Sequence, residues 1–215
     1  MIFDIITLFP EMFAGPLTES ILKRAQDNDL ITINIHQLRN WGIGPHKQVD
    51  DTVYGGGVGM LLRPDVVIPA ITEVKKTKKI KKTKILLMTP QGQTFKQQIA
   101  EDLAKEDRLI IVCGHYAGFD ERIRKFVDLE VSIGDYVLTG GEVPAMVVID
   151  AVSRQISGVV GRAGNEDESF SKSLDRKMEY PQYTKPEIYN KLAVPDILLS
   201  GHHAEIEKWR SSKTR

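Results

Sequence analysis

Four strand-length apolar runs rich in β-branched residues recur along the first half of the chain, and helix-patterned segments separate them. The runs are Ile2 to Leu8, Leu30 to Ile35, Lys84 to Met88 and Arg108 to Cys113. Runs this short and this apolar read as buried strands. Leu17 to Gln26 has helical spacing, with Thr18 or Ser20 as its cap, and Pro64 to Glu73 carries proline in its first turn. In Thr94 to Leu103, Phe95, Ile99 and Leu103 share one face, and Val143 to Gln155 reads as a further helix. Strand and helix therefore alternate. Such a chain folds as an α/β protein with a mainly parallel sheet and helices on both faces.

The alternation stops near residue 160. Gly161 to Lys177 is polar and nearly without apolar periodicity, and it reads as a linker. Beyond it, Pro181, Pro186 and Pro195 punctuate a small segment that closes on a helix around Ile206 and Trp209. The expected division is an α/β body over 1–160, a linker over 161–177 and a small helical domain over 178–215.

A body of that size buries a core without disulfides, and the single cysteine, Cys113, rules out an internal one. Asp4 interrupts the opening apolar run and no basic residue precedes it, so the start reads as a core strand rather than a signal peptide. No apolar stretch reaches membrane-spanning length, and the expected setting is cytoplasmic, with no membrane partner. Lys plus Arg and Asp plus Glu each number 29, so overall charge gives no support to nucleic-acid binding. Seven lysines do fall in the ten positions from Lys75 to Lys84. A solvated loop between helix and strand ranks ahead of a phosphate-contacting patch as the reading of that block.

In parallel sheets, ligands sit beyond the carboxyl ends of strands, where glycine lets main chain approach them. Four glycine loops qualify: Gly55 to Gly59, Thr89 to Gln93, Gly114 to Gly118, and Ile133 to Glu142. One alone would read as a tight turn; four point to a shared ligand site. No Walker loop and no Gly-x-Gly-x-x-Gly after the opening strand is present. The histidines at 36, 46, 115, 202 and 203 lack metal-ligand spacing, and no nucleophile elbow occurs. Cys113, ending an apolar strand, reads as a small buried thiol. The residues alone thus reach an α/β protein that binds a small, adenosine-like ligand.

A series of spaced motifs goes further. Phe9-Pro10-Glu11-Met12-Phe13, Val49 to Gly57, Pro90-Gln91-Gly92, Gly118 to Arg122, Ser132 to Pro144, Asp150 to Arg154, Tyr180 to Pro186 and Leu199 to Ile206 occur in order. Over nearly its whole length the chain resembles the bacterial tRNA (guanine-N1)-methyltransferases, the TrmD family of the SPOUT class. The resemblance implies a deep trefoil knot, an obligate homodimer whose sites draw on both subunits, and a tRNA substrate methylated at N1 of guanosine 37, just 3′ of the anticodon. It implies S-adenosylmethionine as methyl donor, with Mg²⁺ as a possible accessory ion and no protein metal site. Donor contacts would come from Pro90, Gln91 and Gly92, from Gly114, Tyr116 and Gly118, and from Ile133, Gly134, Asp135, Tyr136, Val137, Leu138, Gly140, Gly141 and Pro144.

For chemistry, the resemblance implies Arg154 against the charge developing on guanine O6, a residue that otherwise reads as a surface arginine ending its helix. The general base is an aspartate before a Ser-Phe pair in the family's linker. Here Glu168 precedes Ser169-Phe170, with Asp167 before it. Glu168 matches by position and ranks ahead of Asp167, which matches by residue type; without the family both read as solvated linker acids. The chain also departs from the pattern at His115, where relatives carry arginine, and at Ala117, where they carry glutamate.

Overall fold

The computed structural model, which describes residues 1–77, 80–161 and 168–215, turns each of the four apolar runs into a strand. The strands are β1 (Ile2–Thr7), β2 (Thr32–Gln37), β3 (Asp50–Thr52), β4 (Met60–Leu62), β5 (Thr83–Thr94), β6 (Arg108–Cys113), β7 (Leu129–Ser132), β8 (Ile188–Tyr189) and β9 (Leu192–Ala193). Five of them form one sheet in the order β2-β1-β6-β5-β7, and every pair in it is parallel. The helices are α1 (Ser20–Asp27), α2 (Pro64–Thr77), α3 (Gln97–Leu103), α4 (Glu142–Ser153), α5 (Asp196–Leu199) and α6 (His203–Lys213).

Alternate side chains of the strands feed two separate cores. Phe3, Ile5, Leu86, Met88, Leu109 and Ile111 pack on one face with Leu22 of α1, Leu103 of α3 and Val148 and Val152 of α4. Ile6, Ile85, Leu87, Ile110 and Val112 pack on the other with Val66, Val67, Ala70 and Val74 of α2. Every residue of β6, and every residue of β1 after Ile2, is thus buried whichever way it points, which explains runs that are apolar on both faces.

Where boundaries differ from the sequence reading, local hydrogen bonds explain it. β2 begins at Thr32 rather than Leu30 because the amides of Leu30 and Ile31 both bond the Ala25 carbonyl and finish the α1 turn. Neither Thr18 nor Ser20 caps α1 through its side chain; the Thr18 hydroxyl instead accepts from the Gly15 amide. The third helix starts at Gln97, not Thr94, because Thr94 pairs with Ser132 and the Phe95 amide donates to the Ser132 carbonyl. The lysine block is not one loop either. Lys75 and Lys76 lie in the last turn of α2, where cations favour the helix dipole, and Lys84 lies in β5. Lys78 and Lys79 fall outside the described residues.

Towards the amino ends of the strands, a buried ion pair replaces apolar packing. Arg108, 1% exposed, donates from Nε to Asp4 Oδ2 at 2.6 Å, and from Nη2 to the Val74 carbonyl at 2.6 Å. Its Nη1 reaches the Lys75 carbonyl. Asn34 and His36 of β2 meet the other Asp4 oxygen at 3.1 and 2.7 Å. Burial pushes the Asp4 carboxyl up, but the hydrogen bonds from His36 and Arg108, with the Arg108 charge and Asn34, outweigh it and hold Asp4 below the ordinary carboxylate range. The pair seals the carbonyl end of α2 onto the sheet.

By contact density the chain divides into Met1–Val160 and Gly161–Arg215. In the second unit, β8 and β9 form a hairpin whose two-residue turn, Asn190-Lys191, has positive φ at both positions, the signature of a twist-matched type I′ turn. The Tyr183 and Trp209 rings lie 6.4 Å apart, and the Arg210 guanidinium sits 4.9 Å from the Tyr180 centroid. Ser171 is the one buried residue among those described in this unit, and Ile188, Tyr189 and Leu192 are exposed. Among the described residues no helix is long and apolar enough to cross a membrane.

Candidate functional site

The loops that leave β5, β6 and β7 at their carboxyl ends converge on a pocket of about 220 Å³. β5 pairs with Val131 twice, through Met88 and again through Gln93. Between those pairings, Thr89 to Gly92 loops out and presents Thr89 and Pro90 to the pocket. The chain after β6 contributes Gly114 to Phe119, and the chain after β7 contributes Ile133, Gly134 and the stretch Tyr136 to Gly141. Pro144, in the first turn of α4, closes one side.

Close main-chain packing makes the pocket possible. The Gly141 amide donates to the Gly114 carbonyl at 2.7 Å, and His115 pairs with Gly140 in an antiparallel bridge. A Cβ at position 141 would lie 2.7 Å from the Gly114 nitrogen and 2.9 Å from Cys113 Cα. Both neighbours are backbone, so any side chain there forces the two loops apart. Tyr116 holds a positive φ of 60° at the bend of its loop, a strained state typical of residues fixed for a ligand.

Twelve of the fifteen positions singled out for donor contact line this pocket: Pro90, Gly114, Tyr116, Gly118, Ile133 and Gly134, with Tyr136, Val137, Leu138, Gly140, Gly141 and Pro144. Gln91, Gly92 and Asp135 do not. The Gln91 carboxamide takes a bond from Arg124, and Asp135 is exposed. Gly92 packs on β7, where a Cβ would meet the Val131 nitrogen at 2.4 Å. The loop Gly55 to Gly59 also stays out of the pocket, contrary to the expectation of four converging loops. It joins the hairpin β3–β4 rather than a strand of the main sheet, and a Cβ on Gly55, Gly56 or Gly57 would meet only open space.

Among the described residues, the lining contains no lysine, arginine, aspartate or glutamate. A site without cations does not suit a polyphosphate, whose binding rests on charge. Tyr136, Val137 and Leu138, all exposed in the described structure, offer apolar surface instead. Main-chain groups between them are available for polar contacts. The arrangement fits an uncharged or cationic adenosine-like ligand. Among the described residues no cluster of three or more His, Cys, Asp and Glu side chains is placed to hold a metal.

Beneath the pocket, Glu142 is 1% exposed, and its Oε1 accepts from Thr7 Oγ1 at 2.8 Å. Burial first, and the Glu142 charge second, push the Cys113 thiol well up, so it serves as packing rather than as a nucleophile. Sequence reasoning did not single out Glu142. An acid heading the otherwise apolar stretch Val143 to Ile149 was the available signal.

Of the expected catalytic residues, Arg154 does not line the pocket. Arg154 is the C-cap of α4, about 18 Å along a twelve-residue helix from the pocket at its other end. That end of α4 lies at the amino edge of the sheet, where Ile156 shares a shallow cleft with Met1, Ile2 and Asp107. Glu168 belongs to the unit Gly161–Arg215, in a turn where the Ser171 amide bonds its carbonyl. Asp167 lies outside the described residues.

Compared with known families, the chain matches the family model described as tRNA (Guanine-1)-methyltransferase TrmD over residues 1–215. A tRNA (guanine-N(1)-)-methyltransferase of Chloroflexus aggregans is 53% identical over 214 residues, covering 99% of this chain and 82% of that protein. The protein of the same name from Citrifermentans bemidjiense is 52% identical over 211 residues, covering 98% and 83%. That of Staphylococcus haemolyticus is 50% identical over 209 residues, covering 96% and 83%.

Proposed function

The chain belongs to the tRNA (guanine-1)-methyltransferase TrmD family, and from that premise we propose that its loop pocket binds S-adenosylmethionine and that it methylates N1 of guanosine 37 in tRNA. That it is a tRNA (guanine-N1)-methyltransferase follows from the full-length match; the donor, the nucleotide position and the residue roles are our reading. The observation that carries it is the convergence of the β5, β6 and β7 loops on a pocket free of charged side chains. The adenine ring would lie against Ile133 and Leu138, its polar edge on main chain from the 133–141 stretch. No lysine or arginine would repel the sulfonium. S-adenosylmethionine supplies an electrophilic methyl group when bound.

Guanine N1 carries a proton and becomes nucleophilic only as that proton leaves. Glu168, or Asp167 beside it, would accept the proton. Negative charge then gathers on O6, and the Arg154 guanidinium would stabilise it. A guanine that reaches the pocket stands about one helix length from Arg154 of the same chain. This separation supports a homodimer in which one copy supplies the pocket and the other the arginine. Exposed Val143 and Val147 on α4, beside exposed Met12 on the contacting turn Pro10–Phe13, offer an apolar face for it. The deep knot of the SPOUT class belongs to the same reading, as do a donor-binding body over 1–160, a linker over 161–177 and a tRNA-contacting domain over 178–215. The small buried content of the last of these supports a surface completed by RNA.

The test is methyl transfer from labelled S-adenosylmethionine to tRNA transcripts bearing guanosine or adenosine at position 37, with and without Mg²⁺. N1-methylguanosine in the first transcript alone is expected. Equal transfer to both overturns the stated position and base, and 2′-O-methylated product overturns the assigned chemistry. Loss of transfer without Mg²⁺ would assign the ion a role.

A further inference from the structure

Two buried polar atoms under the pocket face each other without a hydrogen-bond partner among the described residues: Glu142 Oε2 and His115 Nδ1, 3.9 Å apart. Neither residue is loosely placed. Glu142 is tied from behind, because its Oε1 accepts from Thr7 Oγ1 at 2.8 Å, and that hydroxyl accepts in turn from the Phe9 amide at 2.9 Å. The His115 ring is held by Phe9, with centroids 4.7 Å apart, and by Tyr116, edge-on at 5.0 Å.

Gly140 lies directly over the two atoms. A Cβ there would come within 2.3 Å of Glu142 Oε2 and 2.8 Å of His115 Nδ1. Glycine at 140 is therefore what leaves room for a carboxylate and an imidazole side by side. A closure of about 1 Å brings nitrogen and oxygen to hydrogen-bond distance, and a buried carboxylate oxygen left unpaired is costly enough to favour that closure. The loops concerned, Gly114 to Tyr116 and Thr139 to Gly141, are paired neighbours that both line the pocket.

We propose that Glu142 and His115 are positioning residues that form a buried latch, His115 Nδ1–H donating to Glu142 Oε2, which fixes the spacing of the two loops for the methyl donor. The proposal rests on the reading that this pocket holds S-adenosylmethionine. Neither side chain touches the transferred methyl group, and the proton stays on Nδ1 throughout. Charge-assisted pairing of this kind orients an imidazole and fixes its tautomer.

The latch is read in the 215-residue chain without donor by ¹⁵N–¹H spectroscopy of the His115 ring. The Nδ1–H tautomer is expected. Glu142→Gln keeps the oxygen that serves Thr7 and turns an amide NH₂ toward His115, so the ring switches to Nε2–H. An Nε2–H tautomer in the unaltered chain, or no switch in the variant, overturns the latch whatever the pocket binds. Titration with S-adenosylmethionine then tests its consequence. His115→Phe weakens binding about tenfold, Glu142→Gln weakens it less because the bond re-forms with its direction reversed, and the double variant is no weaker than His115→Phe. His115→Asn, whose amide N–H stands where Nδ1–H stood, restores affinity to within about twofold. Unaltered affinity in His115→Phe, or losses that multiply in the double variant, would overturn the positioning role. If the unaltered chain binds no S-adenosylmethionine, the functional reading fails, and the tautomer result still judges the latch.

Discussion

The two ends of the parallel sheet are built on opposite principles. At the amino end, Asp4 and Arg108 are buried, charged and hydrogen-bonded to each other, to α2 carbonyls and to β2 side chains. At the carboxyl end, the pocket walls are glycine-rich main chain, and the buried atoms Glu142 Oε2 and His115 Nδ1 stand unpaired. One end spends its polar groups on holding the fold. The other leaves glycine-rich main chain open around the pocket. The contrast teaches where stability and function separate within a single layer of strands.

The largest effect belongs to the amino end. Asp4→Asn leaves the Arg108 charge buried without its counter-ion, and unfolding in urea is expected to show a loss of about 3–5 kcal/mol, with donor affinity per folded molecule unchanged. A fall in affinity would break the separation of the two ends. The pH dependence follows with its sign. Asp4 has a folded pKa below its ordinary value of 3.8, so its contribution is complete above that value and is lost as pH falls below it, through the lower folded pKa. The stability curves of the unaltered chain and Asp4→Asn therefore converge at acid pH; parallel curves would contradict the lowered carboxyl.

Next comes Arg154, which shares the amino edge and yet is assigned to chemistry. Arg154→Ala should lower turnover about 10²–10³-fold with donor affinity nearly intact. If binding falls equally, it is not a charge stabiliser. Mixing it with a pocket-blocked chain sharpens the comparison. Two copies that exchange arginines recover about one quarter of full activity, since half the dimers are mixed and each has one sound site. No recovery would place both residues in one copy's site.

At the carboxyl end, Gly141→Ala drives a methyl into the Gly114 and Cys113 main chain and is expected to weaken S-adenosylmethionine binding at least about tenfold. Gly161→Ala, with nothing within 4 Å, serves as its neutral control. The smallest effect is at the rim. Val137, 85% exposed, should tolerate serine with less than about a threefold change in affinity. A larger loss would mean that the ligand covers it.

The sheet was legible because its cause is local. Runs such as Arg108 to Cys113 are apolar on both faces, and that strand has the expected limits. Helix starts were less legible, since the Phe95 amide is claimed by Ser132 across the sheet, a partner invisible in a local window. Twelve of the fifteen positions that the family resemblance implied for the donor fall around one pocket. Gln91 and Gly92 sit in the same motif but answer to Arg124 and β7. Spacing does not tell a glycine that meets a ligand from one that meets a neighbouring strand. Glu142 went unnoticed because its partners, Thr7 and His115, are distant in sequence.

The most direct test of this account is a crystal structure of the chain with S-adenosylmethionine. The donor is expected at the carboxyl ends of β5, β6 and β7, between the Gly114–Gly118 and Ile133–Gly141 loops, with its adenine on Ile133 and Leu138. Donor bound instead in the cleft beside Asp51, Arg63 and Arg122, or at the amino edge near Arg108, would contradict the division of labour between the two ends.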